Sequence, residues 1–240
     1  MNSVVRREGV LPLAPYLIGG LFCLALMAFW PRYLSQLGHG TLNFYKHFHA
    51  LMMTLWFALL IAQPILIRQG NRPLHRMLGR LSFVIAPLAV LSMIFLTHHR
   101  LKPLDEAGLN QVGIYAILPL SMALVFSTAY GLAIRYRKQM ALHARYMLST
   151  AFALIDPVGA RLLGFYAPPL PDWAYQGTTF TVTDIILLWL IWRERKSASG
   201  RSAFPVMLGV MLVCQFTTFA LPHVSGWLQI VRWFRDLPLT

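Results

Sequence analysis

Apolar residues fall in long blocks along this chain, and the polar residues collect between the blocks. The blocks cover about residues 11–30, 45–67, 78–97, 111–134, 143–166, 178–192 and 204–221. Most hold close to 20 residues, which at ~1.5 Å per residue cross the ~30 Å hydrocarbon layer of a bilayer. The pattern predicts an all-α, polytopic membrane protein with seven transmembrane helices in a single domain over 1–240. The blocks are too long for the ~10-residue strands of a membrane barrel. Pro31 and the polar run to Asn43 end the first block, and His98, His99 and Arg100 close the third. Pro168, Pro169 and Pro171 separate the fifth from the sixth, and an amphipathic tail is expected beyond Pro222.

The block at 44–80 organises the rest. His49, Trp56 and Gln63 are seven apart and so share one line of a helix, with Met52 and Met53 beside it. His47 and His49 stand at one end of this span and His75 just beyond the other. His47 and His49 are about 200° apart on a regular helix, and could face one site only if the helix began near His49.

Composition agrees with the pattern: 57% of residues are hydrophobic and 12% charged, against about 25% charged in an ordinary soluble domain. The net charge of +13 would suit nucleic acid, but its distribution argues for a membrane. Of the Lys and Arg residues, 14 fall at one set of span ends and 6 at the other. The positive-inside bias then puts the N-terminus in the cytoplasm and the C-terminus outside, with the basic loops against anionic lipid. Arg6 and Arg7 precede the first block with no clear small-residue cleavage site, so that block reads as a retained span. Cys23 and Cys214 lie in apolar spans, so no disulfide framework is expected.

This orientation sorts the histidines. His75 and His143 enter the third and fifth spans from the inner face, in the similar segments LHRMLGR and LHARYML. Gly79, Ser82, Ala86 and Ala89 continue the His75 face, and Met147, Thr150 and Leu154 the His143 face. Two neutral imidazoles on facing helices suit axial ligation of a haem iron. Interfacial histidines that touch headgroups are the plainer alternative. His47, His49, His98 and His99 lie at the outer face, near Asp105 and Glu106. Such a set could bind zinc, copper or iron, or be solvated loop residues. Asp156, Arg161 and Asp184 lie within spans, where ionisable groups are costly and face the bundle interior. An Arg161–Asp184 ion pair between the fifth and sixth spans is expected, with a proton path as the alternative.

The segments HFHALMMTLWFALLIAQPILIRQG and LHRMLGR resemble the transmembrane cytochromes of the b-561 type. The chain also looks like bacterial multi-pass proteins of unknown function that carry a Leu-His-Arg-x-Leu-Gly-Arg segment. The likeness covers about residues 45–161. It implies haem b held by His75 and His143, with His49 matching a ligand of a second haem. The fourth span has no histidine, so His98 or His99 would have to complete that second site. The expectation is a bacterial inner-membrane redox protein passing electrons between a membrane quinol and a redox partner. A metal-dependent membrane hydrolase or metal-handling protein using the outer histidines is the second reading. A transporter or accessory subunit is the third.

Overall fold

The computed structural model describes residues 12–240, apart from the side chains of 112–115 and 172; Arg6, Arg7 and Leu11 lie outside the described residues. These form nine α-helices and no strand. They are α1 Ala14–Phe29, α2 Phe44–Arg68, α3 Arg72–Leu101, α4 Glu106–Arg135, α5 Met140–Ser149, α6 Phe152–Tyr166, α7 Asp172–Glu194, α8 Ala203–Ala220 and α9 Trp227–Asp236. Five segments are long and apolar enough to cross a membrane: α2, α3, most of α4, the α5–α6 pair and α8 with the turn after it. α1 is apolar but shorter, at 16 residues.

Local chemistry sets the helix starts and stops. Asn43, Asn71 and Asp105 cap α2, α3 and α4, their side chains accepting from Lys46, Leu74 and Gly108 main-chain N–H groups at 3.0, 3.1 and 2.8 Å. α2 ends in a Schellman turn: the Gly70 N–H reaches the Ile67 carbonyl at 3.1 Å and that of Asn71 the Leu66 carbonyl at 2.9 Å. Gly70 takes φ +75° there, a conformation open to glycine at little cost. The three-residue connection 69–71 forces α3 to run back antiparallel along α2.

The block at 143–166 is not one helix. Thr150 and Ala151 bond to carbonyls three residues back, at 3.2 and 3.0 Å, which tightens the chain between α5 and α6. The Ser149 and Thr150 hydroxyls donate to their own helix, to Arg145 and Met147 carbonyls at 2.8 and 2.7 Å. Such back-bonding bends helices.

In order around the bundle, α1, α2, α3, α4, α8, α7 and α6 form a closed ring, with α4 also touching α5, α6 and α9. Trp56, Phe126, Phe204, Met207 and Leu187 centre the main core. Large apolar side chains also point outward: Phe216 is 73% exposed, Val213 63% and Val84 60%. An outward apolar belt of this kind is what lipid requires and water does not tolerate. α9 folds back under the ends of α3 and α4, burying Trp227 and Val231 against Leu101 and Leu109. Its other side exposes Ile230 and Trp233, so the amphipathic tail is present.

Candidate functional site: a polar line through the bundle

The α2 line that carries His49, Trp56 and Gln63 faces inward, and each of the three meets a neighbouring helix. His49 Nδ1 lies 3.0 Å from Ser92 Oγ on α3. The Trp56 indole N–H donates to Thr150 Oγ1 at 3.1 Å. The Gln63 amide lies beside Gly79, with its Oε1 buried and unpartnered.

A shared device fixes the protons along this line. Each hydroxyl donates its single hydrogen to a carbonyl of its own helix and accepts from its neighbour. Ser92 donates to Ala89 O at 2.6 Å, so His49 Nδ1 must carry the proton of their bond, leaving Nε2 with a free lone pair. Ser82 donates to Gly79 O at 2.7 Å, so the Tyr130 hydroxyl donates to Ser82 Oγ at 3.0 Å. Thr150, already spent on Met147, accepts from Trp56. Tyr130 and Phe126 pack edge-on against Trp56, with ring centroids 5.5 and 4.8 Å away.

At the end of the bundle where α3 and α5 begin, His143 Nδ1 is 2.9 Å from the carbonyl of Ala133. A carbonyl can only accept, so Nδ1 is protonated, and Nε2 is the nitrogen that would offer a lone pair to a metal. Histidines that bind metals commonly make such a bond, which fixes their tautomer. His75 lies within electrostatic range of His143, and its Nδ1 is buried without a partner. A side chain placed on Gly79 would meet only the Gln63 amide, at 3.9 Å. The small-residue face continues with Ser82, Ala86 and Ala89, all buried. His75 and His143 are therefore within electrostatic range of each other, beside a helix face without bulk.

Compared with family models, with curated proteins and with solved structures, the chain matches none.

The outer histidines do not assemble in the same way. Helix α2 starts at Phe44, well before His49, so His47 and His49 diverge. His47 Nδ1 meets the Tyr33 hydroxyl at 3.0 Å. Burial pushes the Tyr33 phenol above its ordinary value, so it stays protonated as a donor. His98 turns under the tail, with Nδ1 2.6 Å from Thr240 Oγ1 and its ring edge-on to Phe234. His99 lies over Tyr45, ring centroids 4.7 Å apart. Among the described residues, no three His, Cys, Asp or Glu side chains are grouped to hold a metal ion. Nor do His49 and His98 share a site, because Ser92 and Thr240 hold them apart.

The expected Arg161–Asp184 pair is not formed. Helices α6 and α7 run antiparallel and meet where Asp156 accepts from Gln176 and Thr179. From that level Arg161 and Asp184 lie in opposite directions, roughly 15 Å apart in height. Asp184 instead accepts from the Gln215 amide of α8 at 2.9 Å. Arg161 turns to α1, its guanidinium 4.6 Å from the centre of the Phe29 ring, and donates to Pro157 O at 2.7 Å. Its nearest acidic group is Asp156 of its own helix.

A buried ion pair does exist elsewhere. Arg145 of α5 and Glu194 of α7 bond with their side chains 4% and 2% exposed. Arg145 also donates to Ala141 O at 3.0 Å and Ser197 Oγ at 3.3 Å. In the sequence, Arg145 and Glu194 sit in strongly basic span ends and look like loop charge. Two residues from His143, the pair ties the start of α5 to the end of α7.

Proposed function

We propose that the chain is a seven-span protein of the bacterial inner membrane that carries electrons through a b-type haem held by His75 and His143. The seven spans comprise the five long apolar segments together with α1 and α7. The 14-to-6 distribution of Lys and Arg supports a cytoplasmic N-terminus and an external C-terminus. The resemblance of residues 45–161 to the b-561 type supports the same assignment, and suggests a membrane quinol as donor.

The observation that carries the reading is the Ala133 carbonyl on His143 Nδ1, within electrostatic range of His75, whose buried Nδ1 has no partner. The donor chemistry fits: two imidazoles, that of His143 with Nδ1 on the Ala133 carbonyl, beside a face opened by Gly79. Haem held by His75 and His143 would supply one-electron transfer. His143 is aimed by the Ala133 carbonyl, and α5 is held in register by Arg145 on Glu194. Gln63 and Tyr130 supply polar groups beside the same face. His49 keeps a lone pair on Nε2 but lacks a histidine partner, so one haem is proposed.

Full-length protein purified after expression with ample haem should show a Soret band and a low-spin spectrum that sharpens on reduction. His75→Ala and His143→Ala should each abolish that spectrum or make it carbon-monoxide-sensitive, while His47→Ala leaves it unchanged. A colourless wild-type protein that is folded by circular dichroism would refute the proposal.

A further inference from the structure

At the end of the bundle opposite His75 and His143, three arginines converge, none of them in an ion pair among the described residues. Arg161 of α6 stacks on Phe29 of α1, with its guanidinium 4.6 Å from the ring centre. Arg32, just after α1, stacks in return on Phe165 of α6 at 5.1 Å. The two cation–π contacts form a reciprocal clasp that holds both planar forks at the junction of α1 and α6. Arg100, from the last turn of α3, lies within electrostatic range of both.

Neutralising groups are scarce. The ion pairs among the described residues are Arg145–Glu194, Arg232–Glu106, Arg235–Glu106 and Arg235–Asp236, none of which includes these three arginines. Asp156 is the acidic neighbour of Arg161, but the two form no ion pair: Asp156 Oδ1 accepts from Gln176 and Thr179, and its Oδ2 is buried without a partner. Arg161 uses one N–H on the Pro157 carbonyl, out of the five that a guanidinium carries. Arg32 and Arg100 are exposed, so the cluster opens to the surface. The sequence makes the concentration more telling: this end holds only 6 of the Lys and Arg residues outside the spans, and two of those six stand here beside Arg161.

We propose that Arg32, Arg100 and Arg161 bind a phosphate group. Like charges, two of them held by packing against rings and none of them in an ion pair, form a preorganised anion site. Three forks arriving from α3, α6 and the turn after α1 can reach separate oxygens of a tetrahedral anion, whereas a planar carboxylate offers two. The phosphate comes either from the headgroup of an anionic phospholipid or from a free phosphate in solution. The site needs no cofactor and stands whether or not His75 and His143 hold haem.

The test uses the full chain in nanodiscs of phosphatidylcholine, followed by thermal unfolding. One arm adds inorganic phosphate at constant ionic strength against chloride and acetate; the other substitutes phosphatidylglycerol for part of the lipid. Because Arg161 packs into the clasp, the exposed residues are substituted: Arg100→Gln, Arg32→Gln and, as a control at the other end, Arg137→Gln. The expected result is a saturable rise in unfolding temperature with phosphate, phosphatidylglycerol or both, and at least a tenfold loss of apparent affinity in Arg100→Gln and Arg32→Gln. A response to phosphatidylglycerol alone identifies the lipid source, and a response to phosphate alone the free anion. No response in either arm, an equal response to acetate, or an equal loss in Arg137→Gln would overturn the proposal.

Discussion

Replacing Arg145 by methionine tests the buried tie between α5 and α7 directly. Glu194 Oε1 already has no partner, and Oε2 has only Arg145. In Arg145→Met both carboxylate oxygens are left buried and unsatisfied. Removing one member of a buried pair costs about 3–5 kcal/mol, and for a chain of this size each kcal/mol moves the unfolding temperature by roughly 2–4 °C. A drop of about 6–20 °C is therefore expected in detergent-purified protein followed by tryptophan fluorescence, where the exposed substitution Arg137→Met should stay within about 0.5 kcal/mol. The double variant Arg145→Met, Glu194→Leu removes both charges and should recover most of the loss, because an apolar pair of similar volume is often as stable as a buried ion pair. The reasoning fails if Arg145→Met behaves like Arg137→Met, or if the double variant is no better than the single one.

Two further outcomes follow from packing and from topology. A methyl group on Gly159 would lie 2.8 Å from Thr179 Cγ2, so Gly159→Ala should destabilise by about 1–3 kcal/mol. Adding Thr179→Ser, which removes that methyl group but keeps the hydroxyl for Asp156, should restore part of the loss in the same unfolding assay. Reporter fusions after Arg80 and Lys138 should read cytoplasmic and those after His99 and Pro171 external; a reversed pattern at any two would refute the orientation.

The helices were legible because each depends on a local run of apolar residues with capping residues at its ends. The second span, read as 45–67, is Phe44–Arg68. The third, read as 78–97, extends to Arg72–Leu101, since a helix continues past the hydrocarbon wherever a cap such as Asn71 allows. The break near Thr150 was not legible, because hydroxyl back-bonding leaves apolar periodicity intact. Within the site, the shared line of His49, Trp56 and Gln63 followed from spacing alone. What those residues touch did not: Ser92, Thr150 and Gly79 are placed by helix pairing over distances that no periodicity reports. The Arg161–Asp184 expectation failed for the same reason, since it matched charges without knowing the level at which antiparallel helices meet. A closer reading of the seventh helix could have found Gln176, Thr179 and Thr183, a polar stripe at helical spacing that had to face something polar.

The partners of the fifth block also bear on how the chain enters the membrane. The segment Met140–Tyr166 is the least apolar of the five long spans and holds Arg145, Asp156 and Arg161. At roughly 2.5–3.5 kcal/mol for a mid-bilayer charge, it is the segment least able to partition into lipid alone. The groups that satisfy Arg145 and Asp156 are Glu194, Gln176 and Thr179, all on α7, and α7 emerges from the ribosome later. The intervening stretch at 167–171 is short and rich in proline, which keeps α7 close behind. If α7 spans the membrane as proposed, these two segments should leave the translocon as one hairpin with their polar groups already joined, and a nascent chain ending before Gln176 should hold its fifth block at the channel rather than release it to the bilayer.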